Sequence, residues 1–304
     1  MTKYPKVHNR DHFFKYVTSD VAKLIIRNHT LKWSCPLDFN DPFDHQFAFI
    51  TEDRTELISN QIIQRIAEYV WDRDDVTFDT THDPLGFGLM LTHLKQMKNV
   101  IPREEFLRNA KAILPQTVDS SKQALTDFYE EISLFLRQTR VLCLAEEKDN
   151  LLMWSHYSES HTGAVFKLNA IDELDSPFLV AKKVEYSAEY PSLATEEEWL
   201  NHLLYINRID FGKRHFNLCY VKGDVWGYEK EWRISITSEK HPLGEAVYNG
   251  EPPEVFGAIY LGCRMPKEDK QQIMDLANQN LPNMEVWQAI QGSKAYKIEF
   301  QQLK

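Results

Sequence analysis

The 304-residue chain carries 35 Lys and Arg against 45 Asp and Glu, a formal net charge of -10. A chain of this length buries a full core without disulfides or metals, as one large or two modest domains. Its negative charge opposes tight non-specific binding to a nucleic-acid backbone and is easier to reconcile with a small anionic ligand, unless Lys182, Lys183, Lys213, Arg214 and Lys222 gather into a local basic cleft.

The four cysteines, Cys35, Cys143, Cys219 and Cys263, form no C-x-x-C pair, which argues against zinc ribbons and thioredoxin-like chemistry. Three lie in apolar, strand-like surroundings that suit buried, reduced thiols. Residues 1–11 are polar, and no later stretch is apolar for the length of a membrane span, so a soluble, cytoplasmic protein is expected.

In chain order, the first elements read as strand, helix, strand: 12–16, a helix capped by Thr18 or Ser19 and running to Asn28, then 31–34. Asn40-Asp41-Pro42-Phe43-Asp44 reads as a turn, because Asn and Asp side chains bond nearby backbone and Pro fixes φ. Residues 46–50 read as a further strand. From 52 to 140 apolar residues recur at helical spacing, as in Leu57, Ile58, Ile62, Ile66, Ala67 and Val70, and in Leu125, Phe128, Tyr129, Ile132, Phe135 and Leu136. This stretch is expected to be a large helical insertion within a single α+β domain spanning 1–304. Strand signals return at 141–145, 163–168, 178–186, 229–236, 255–261, 286–290 and 295–300, with helices over 196–207 and 267–279. Strands from both ends of the chain then share one core of central mixed or antiparallel sheet.

The richest segment chemically is Tyr228-Glu229-Lys230-Glu231-Trp232-Arg233-Ile234-Ser235-Ile236, where apolar and charged residues alternate. Read as a strand, it puts Glu229, Glu231, Arg233 and Ser235 on one face and Trp232, Ile234 and Ile236 on the other. Trp226, Gly227 and Tyr228 lead into the carboxylate pair, an aromatic approach that solubility does not require. A second cluster lies in 151–163. Trp154 and Tyr157 offer π-faces for a planar base, and Ser155, His156 and His161 offer hydrogen-bonding groups. His156 and His161 are five residues apart, which does not suit paired metal ligands on one helix face. Lys15 and Tyr16 lead into the first helix, where a ligand phosphate or amide can be held. No G-x-G-x-x-G, G-x-x-x-x-G-K or G-x-S-x-G occurs, which disfavours dinucleotide-binding, P-loop and hydrolase-elbow enzymes.

Phe14-Lys15-Tyr16, Phe39-Asn40-Asp41-Pro42-Phe43, Met153-Trp154-Ser155-His156-Tyr157 with His161 and Gly163, and Trp226 to Arg233 occur in that order. Over almost the whole chain this arrangement resembles a bacterial family known as domain of unknown function 2971. More distantly, the early Lys-Tyr and the late Glu-x-Glu look like ADP-ribosyltransferases and related NAD-using toxins. That resemblance implies an ADP-ribosyltransferase-like α+β fold with NAD as substrate and no metal. Tyr16 or Lys15 would contact NAD, Ser155 or Tyr157 would help bind it, and Glu231, with Glu229 beside it, would hold the nicotinamide ribose as oxocarbenium character develops. Asn40, Asp41, Trp154, His156, His161, Tyr228 and Arg233 complete the candidate binding set. ADP-ribose would pass to a nucleic acid, a protein or water, and a toxin or phage-defence role is an association the resemblance carries.

Two other readings compete with it. One is a metal-dependent nuclease or phosphoesterase using Asp41, His156, Glu229 and Glu231. The other is a non-catalytic module whose aromatic and acidic pocket binds a nucleotide or a protein. Fold resemblance cannot separate the three.

Overall fold

The alternation in His12–Val17 serves two cores at once. In the computed structural model, which describes residues 5–51, 54–81, 83 and 86–304, this segment is β1, with Phe13 and Val17 on one face and Phe14 and Tyr16 on the other. The elements that follow are α1 (Ser19–Asn28), β2 (Thr30–Trp33), α2 (Thr55–Ala67), α3 (Phe87–Gln96), α4 (Arg103–Gln138), β3 (Thr139–Ala145), α5 (Leu151–Tyr157), β4 (Ala164–Asn169), β5 (Lys182–Lys183) and β6 (Glu185–Ser187). Then come α6 (Glu196–Leu203), α7 (Phe211–Leu218), β7 (Val221–Gly223), β8 (Glu231–Thr237), β9 (Val247–Gly250), β10 (Phe256–Leu261), α8 (Lys267–Asn280), β11 (Glu285–Gln291) and β12 (Ile298–Gln302). The protein is α+β. Among the described residues, no helix is long and apolar enough to cross a membrane.

The chain divides into two compact units: Met1–His45 with Phe135–Glu189 and Cys219–Lys304, and Gln46–Leu134 with Tyr190–Leu218. The insertion expected from the sequence begins at 52, which lies outside the described residues.

The first unit is built on a mixed eight-stranded sheet in the order β12-β11-β10-β4-β1-β3-β8-β5. β10 and β11 run parallel and the other neighbours antiparallel. Local chemistry sets the elements that cover one face. Thr18 caps α1, its hydroxyl accepting the Val21 N–H, and His29 ends the helix in the left-handed region with its N–H on the Ile25 carbonyl. Ala22, Ile25 and Ile26 of α1 and Ile273 and Ala277 of α8 are buried in one core with Phe13, Leu142, Leu144, Phe166 and Leu168 of the sheet. The opposite face packs Phe14, Tyr16, Val165, Ala258 and Tyr260 against Met153 and Trp154 of α5. Trp154 is completely buried, and its indole N–H reaches the Lys148 carbonyl at 2.7 Å. An aromatic ring of that size removes about 150–250 Å² from water, so α5 is held firmly to the sheet.

The second unit holds α2, α3, most of α4, α6 and α7. Ile58, Ile62, Ile66, Val70 and Leu91 form its core with Trp199, Leu200 and Leu204. Thr195 and Glu198 cap α6 reciprocally, each side chain taking the other's backbone N–H.

Three expected elements differ. Residues 46–50 are not a strand: Ala48 makes one isolated bridge to Ser192, and Phe49 is held by rings, 4.7 Å from Phe128 and 5.3 Å from Trp199. Ring packing, rather than a ladder, explains the apolar alternation there. Residues 178–186 break into a 3₁₀ turn, Pro177–Val180, followed by β5 and β6, because Pro177 fixes φ and the Ser176 hydroxyl caps Phe178. The helix expected over 196–207 stops at Leu203, and Tyr205 turns left-handed with φ 57°.

β2 and β9 form a separate two-stranded sheet, and Glu251 follows β9 with its N–H on the His29 carbonyl at 2.7 Å. Its side chain is buried, which pushes the carboxyl up to about 7 from an ordinary 4.5. The folded chain therefore binds this proton more tightly than the unfolded chain. Stability is fullest below the ordinary value and falls as pH rises toward 7. Glu251→Gln should leave the thermal midpoint unchanged near pH 4 and raise it by several degrees near pH 8, for a gain of about 2 kcal/mol. Equal midpoints for the two proteins at the higher pH would refute the assignment.

Candidate functional site

β1 and β3 are neighbours in the sheet yet share one paired position, Phe14 with Ala145. Where they part, a cleft of about 390 Å³ opens in the first unit, lined by Phe14, Lys15 and Tyr16 of β1 and Cys143, Leu144 and Ala145 of β3. The wall is completed by Ser34, Asp38, Phe39 and Asn40, by Met153, His156 and Tyr157 of α5, and by Lys222, Glu229 and Glu231. Segments more than 200 residues apart in sequence thus meet at one place.

Two carboxylates dominate its chemistry. Glu229 ends a 3₁₀ turn, Asp224–Glu229, and Glu231 begins β8; between them Lys230 adopts φ 44°. The sequence reading put Glu229, Glu231, Arg233 and Ser235 on one face of a single strand, and this holds only from Glu231 onward. The left-handed Lys230 swings Glu229 off the strand, with the Lys230 N–H bonded to the Gly227 carbonyl and the Asn150 amide holding the Tyr228 carbonyl at 2.6 Å. The polar face of β8 is also not solvated. Glu231, Arg233 and Ser235 are buried, as is Ile234 on the apolar face, where Trp232 and Ile236 are partly exposed.

The burial is compensated by a ring of ion pairs. Lys222 donates to Glu229 Oε2 at 2.6 Å and to Glu231 Oε2 at 3.3 Å. Arg233 donates from Nε and Nη2 to the two Glu231 oxygens, each at 2.9 Å, and grips Asp44 at 2.6 and 3.0 Å. The Arg233 guanidinium also caps the Cys219 carbonyl at 2.8 Å and lies 5.5 Å from the Phe39 ring centre. His45 Nδ1 stands 2.9 Å from Asp44. Tyr157 donates its hydroxyl to Glu229 Oε1 at 2.6 Å, and the Glu231 N–H donates to the Tyr186 oxygen at 2.8 Å. Planar, forked donors suit Arg to the two-carboxylate position, and a Lys point charge suits the bridge.

This arrangement drives the two carboxyls apart. Burial raises the Glu229 carboxyl, and the nearby Glu231 charge adds to that against the pull of Lys222, so it titrates above its usual range. Burial also opposes ionisation of Glu231, but Arg233 and Lys222 outweigh it and hold the group below its usual range. Burial alone would lower the Lys222 ammonium; the Glu231 and Glu229 charges keep it well above its ordinary value. The Tyr157 phenol is raised by burial and by Glu229, so it stays protonated as a donor. Lys15 differs from Lys222: burial lowers it, and its Nζ donates to the Cys143 carbonyl at 3.0 Å. Burial raises the Cys143 and Cys219 thiols, so both stay protonated.

Of the residues singled out from sequence, Lys15, Tyr16, Asn40, His156, Tyr157, Glu229 and Glu231 line the cleft. Tyr16 does so with its hydroxyl committed to the Glu147 carbonyl at 2.9 Å. Trp154 lies in the core, 5.7 Å from the Tyr16 ring. Asp41 is used locally, accepting the Phe43 N–H at 2.9 Å, and Arg233 lies among the buried ion pairs. Tyr228 lies against Trp226 and His156, with ring centres 6.1 and 6.2 Å away. Ser155 and His161 pair with each other at 3.2 Å, and His161 lines a different cavity. Asp44, Lys222 and Tyr186 were not singled out as site residues. Asp44 is 189 residues from its Arg233 partner, a separation no local pattern reveals.

The basic cleft does not form around Lys182, Lys183 and Lys222. Lys222 is enclosed by carboxylates, Lys183 pairs with Glu146 at 3.1 Å, and Lys182 lies over the Tyr220 ring. Lys213 and Arg214 belong to the second unit, where Arg214 pairs with Glu198 at 2.5 Å. Among the described residues, no group of three or more His, Cys, Asp or Glu side chains is arranged to hold a metal ion. Asp41 is not among the residues lining the cleft with His156, and Lys222 and Arg233 already stand against the Glu229 and Glu231 carboxylates, a positive charge that opposes a cation there.

The fold and cleft define an α+β protein with a mixed eight-stranded sheet and a buried carboxylate pair at a parting of two strands. Residues 153–234 match the family described as protein of unknown function (DUF2971), an interval that runs from α5 into β8 and contains His156, Tyr157, Lys222, Glu229, Glu231 and Arg233. No curated protein and no solved structure matches the chain.

Proposed function

We propose that the cleft binds a nucleotide-like ligand and cleaves an N-glycosidic bond, with NAD as the substrate and ADP-ribose passed to water, a protein or a nucleic acid. The reading rests on the distant resemblance to ADP-ribosyltransferases. The observation that carries it further is the Glu229–Glu231 pair, whose environments push the two carboxyls apart beside Tyr157 in an aromatic-lined cleft. In the reaction the C1′–N bond breaks and its electron pair neutralises the nicotinamide ring. The acceptor oxygen attacks C1′ and gives up its proton. A carboxylate with a raised pKa is the stronger base, so Glu229 takes that proton, while Tyr157 holds its other oxygen. Glu231 stays ionised and supplies negative potential to the developing positive charge, tempered by Arg233 and Lys222. The geometry thus favours Glu229 over Glu231 as the reacting group, the reverse of the order suggested by the Glu-x-Glu pattern.

The test is nicotinamide release from NAD by the purified chain, with and without bacterial lysate and nucleic acid. Release that climbs with pH through a midpoint above the usual carboxylate range is expected. Absence of both turnover and saturable NAD binding would defeat the reading. The pairing of Asp44, Glu229 and Glu231 with Lys222 and Arg233 favours one alternative, a non-catalytic nucleotide-binding module, for which NAD would bind at the cleft and remain intact.

A further inference from the structure

A second cavity in the first unit, of about 720 Å³, lies between the turn after α5 and the β11–β12 hairpin. Its charged lining is entirely basic: Arg264, Lys294 and Lys297, with His161 beside them and no carboxylate. In a chain of net charge -10 this is a local reversal of sign. Lys297 is partly neutralised by Glu299 at 2.7 Å, but Arg264 and Lys294 make no ion pair with any described residue. The Arg264 guanidinium has one long contact, 3.5 Å to the Ser160 carbonyl, so its donors are available.

The wall that carries Arg264 is built under strain. Glu159, Ser160 and His161 all have positive φ, 49°, 54° and 70°, a run of left-handed non-glycine residues that costs roughly 1–2 kcal/mol at each position. It is held by close backbone approach. A Cβ at Gly262 would collide with the His161 carbonyl and one at Gly163 with the Val17 carbonyl. The Gly262 N–H bonds the Gly163 carbonyl at 2.8 Å, and the Arg264 N–H bonds the His161 carbonyl at 3.0 Å. The His161 ring stacks on Trp154 at 6° and meets Ser155 through Nε2, while its Nδ1 has no hydrogen-bond partner. Strain maintained by so many contacts is typical of sites that pre-position a group. Across the cavity Tyr296 is fully exposed, offering an unpaired aromatic face at the rim.

We propose that this cavity is a second binding site, separate from the carboxylate cleft, for a small phosphorylated ligand. Arg264 and Lys294 hold the phosphate oxygens, Arg through its fork and Lys as a point charge, and Tyr296 stacks on a base when the ligand is a nucleotide. The volume is that of a site for a drug-sized molecule. The inference does not depend on NAD cleavage at the other cleft.

Pyrophosphate titrated calorimetrically into the full chain tests it. One saturable site is expected, weakened by added salt. Arg264→Gln with Lys294→Gln should lower the affinity by about tenfold or more with an unchanged thermal midpoint in the absence of ligand. Glu229→Gln should bind pyrophosphate as the unaltered chain does. ADP should bind the same site more tightly, and Tyr296→Ala should erase that advantage without affecting pyrophosphate. The proposal is overturned if no saturable binding occurs, if the double variant binds as well as the unaltered chain, or if Glu229→Gln abolishes binding, which would assign the anion to the carboxylate cleft.

Discussion

Glu229→Gln is expected to reduce nicotinamide release from NAD by about 10²- to 10³-fold while lowering the thermal midpoint by only a few degrees. Gln keeps the size of the side chain, and its single oxygen can accept from Lys222 while its amide N–H turns to the Tyr157 oxygen, but it cannot take a proton. Removing this carboxyl relieves a desolvation penalty but takes from Lys222 its nearest charge partner, leaving Glu231 at 3.3 Å, so a small loss of stability is expected beside the loss of turnover. The acidic limb of the pH profile should disappear in the variant, because the native limb reports Glu229 losing its proton. Glu231→Gln should behave differently. It takes one charge away from both Arg233 and Lys222 in a buried site, so it should lower stability together with activity. A Glu231→Gln chain of native stability that has lost turnover, beside an active Glu229→Gln chain, would restore Glu231 as the reacting carboxylate.

Arg233→Met should be the most damaging single change for stability. Arg233 is completely buried, and its loss leaves Asp44 and Glu231 facing each other without their common guanidinium. Breaking a buried pair by removing one partner costs about 3–5 kcal/mol, which for a unit of this size lowers the midpoint by roughly 10 °C. Arg233→Lys should recover little, since one ammonium cannot serve both carboxylates with a fork at each. The same ring predicts acid lability. Burial opposes ionisation of Asp44, but His45 and Arg233 outweigh it and hold the carboxyl well below its usual range, as Arg233 and Lys222 do for Glu231. Stability from both is complete above the unfolded-state carboxyl range and drains away as pH falls through the depressed folded values. Chemical denaturation as a function of pH checks this: the decline from pH 5 downward should be shallower in Arg233→Met. A parallel decline would show that the ring contributes nothing.

The sequence by itself determined the elements whose causes are local. Thr18 beside an apolar stripe makes α1, alternation in His12–Val17 makes β1, and Pro266 starts α8. Five of the residues singled out from the sequence, Lys15, Tyr16, Tyr157, Glu229 and Glu231, line one cleft. Where one residue has two uses, pattern alone misled. Phe47 and Phe49 alternate like a strand yet serve a ring cluster, and the alternation from Tyr228 onward hides a left-handed Lys230 that takes Glu229 out of the strand.

Only the tertiary structure decided that the charged face of β8 is buried as well as its apolar face. Alternation distinguishes two sides of a strand but says nothing about which meets water; that depends on whether partners elsewhere in the chain can compensate the charge. Here Asp44 and Lys222 do so for Arg233, Glu229 and Glu231. Compensation across such sequence distances is a property of the packed sheet, because an ion pair in low dielectric is set by separation in space and not along the chain. The same holds for the two cavities. His161 and Tyr157, four residues apart, line different ones: Tyr157 ends the short helix α5 beside β1 and β3, whereas His161 sits in a left-handed turn at the cavity lined by the β11–β12 hairpin.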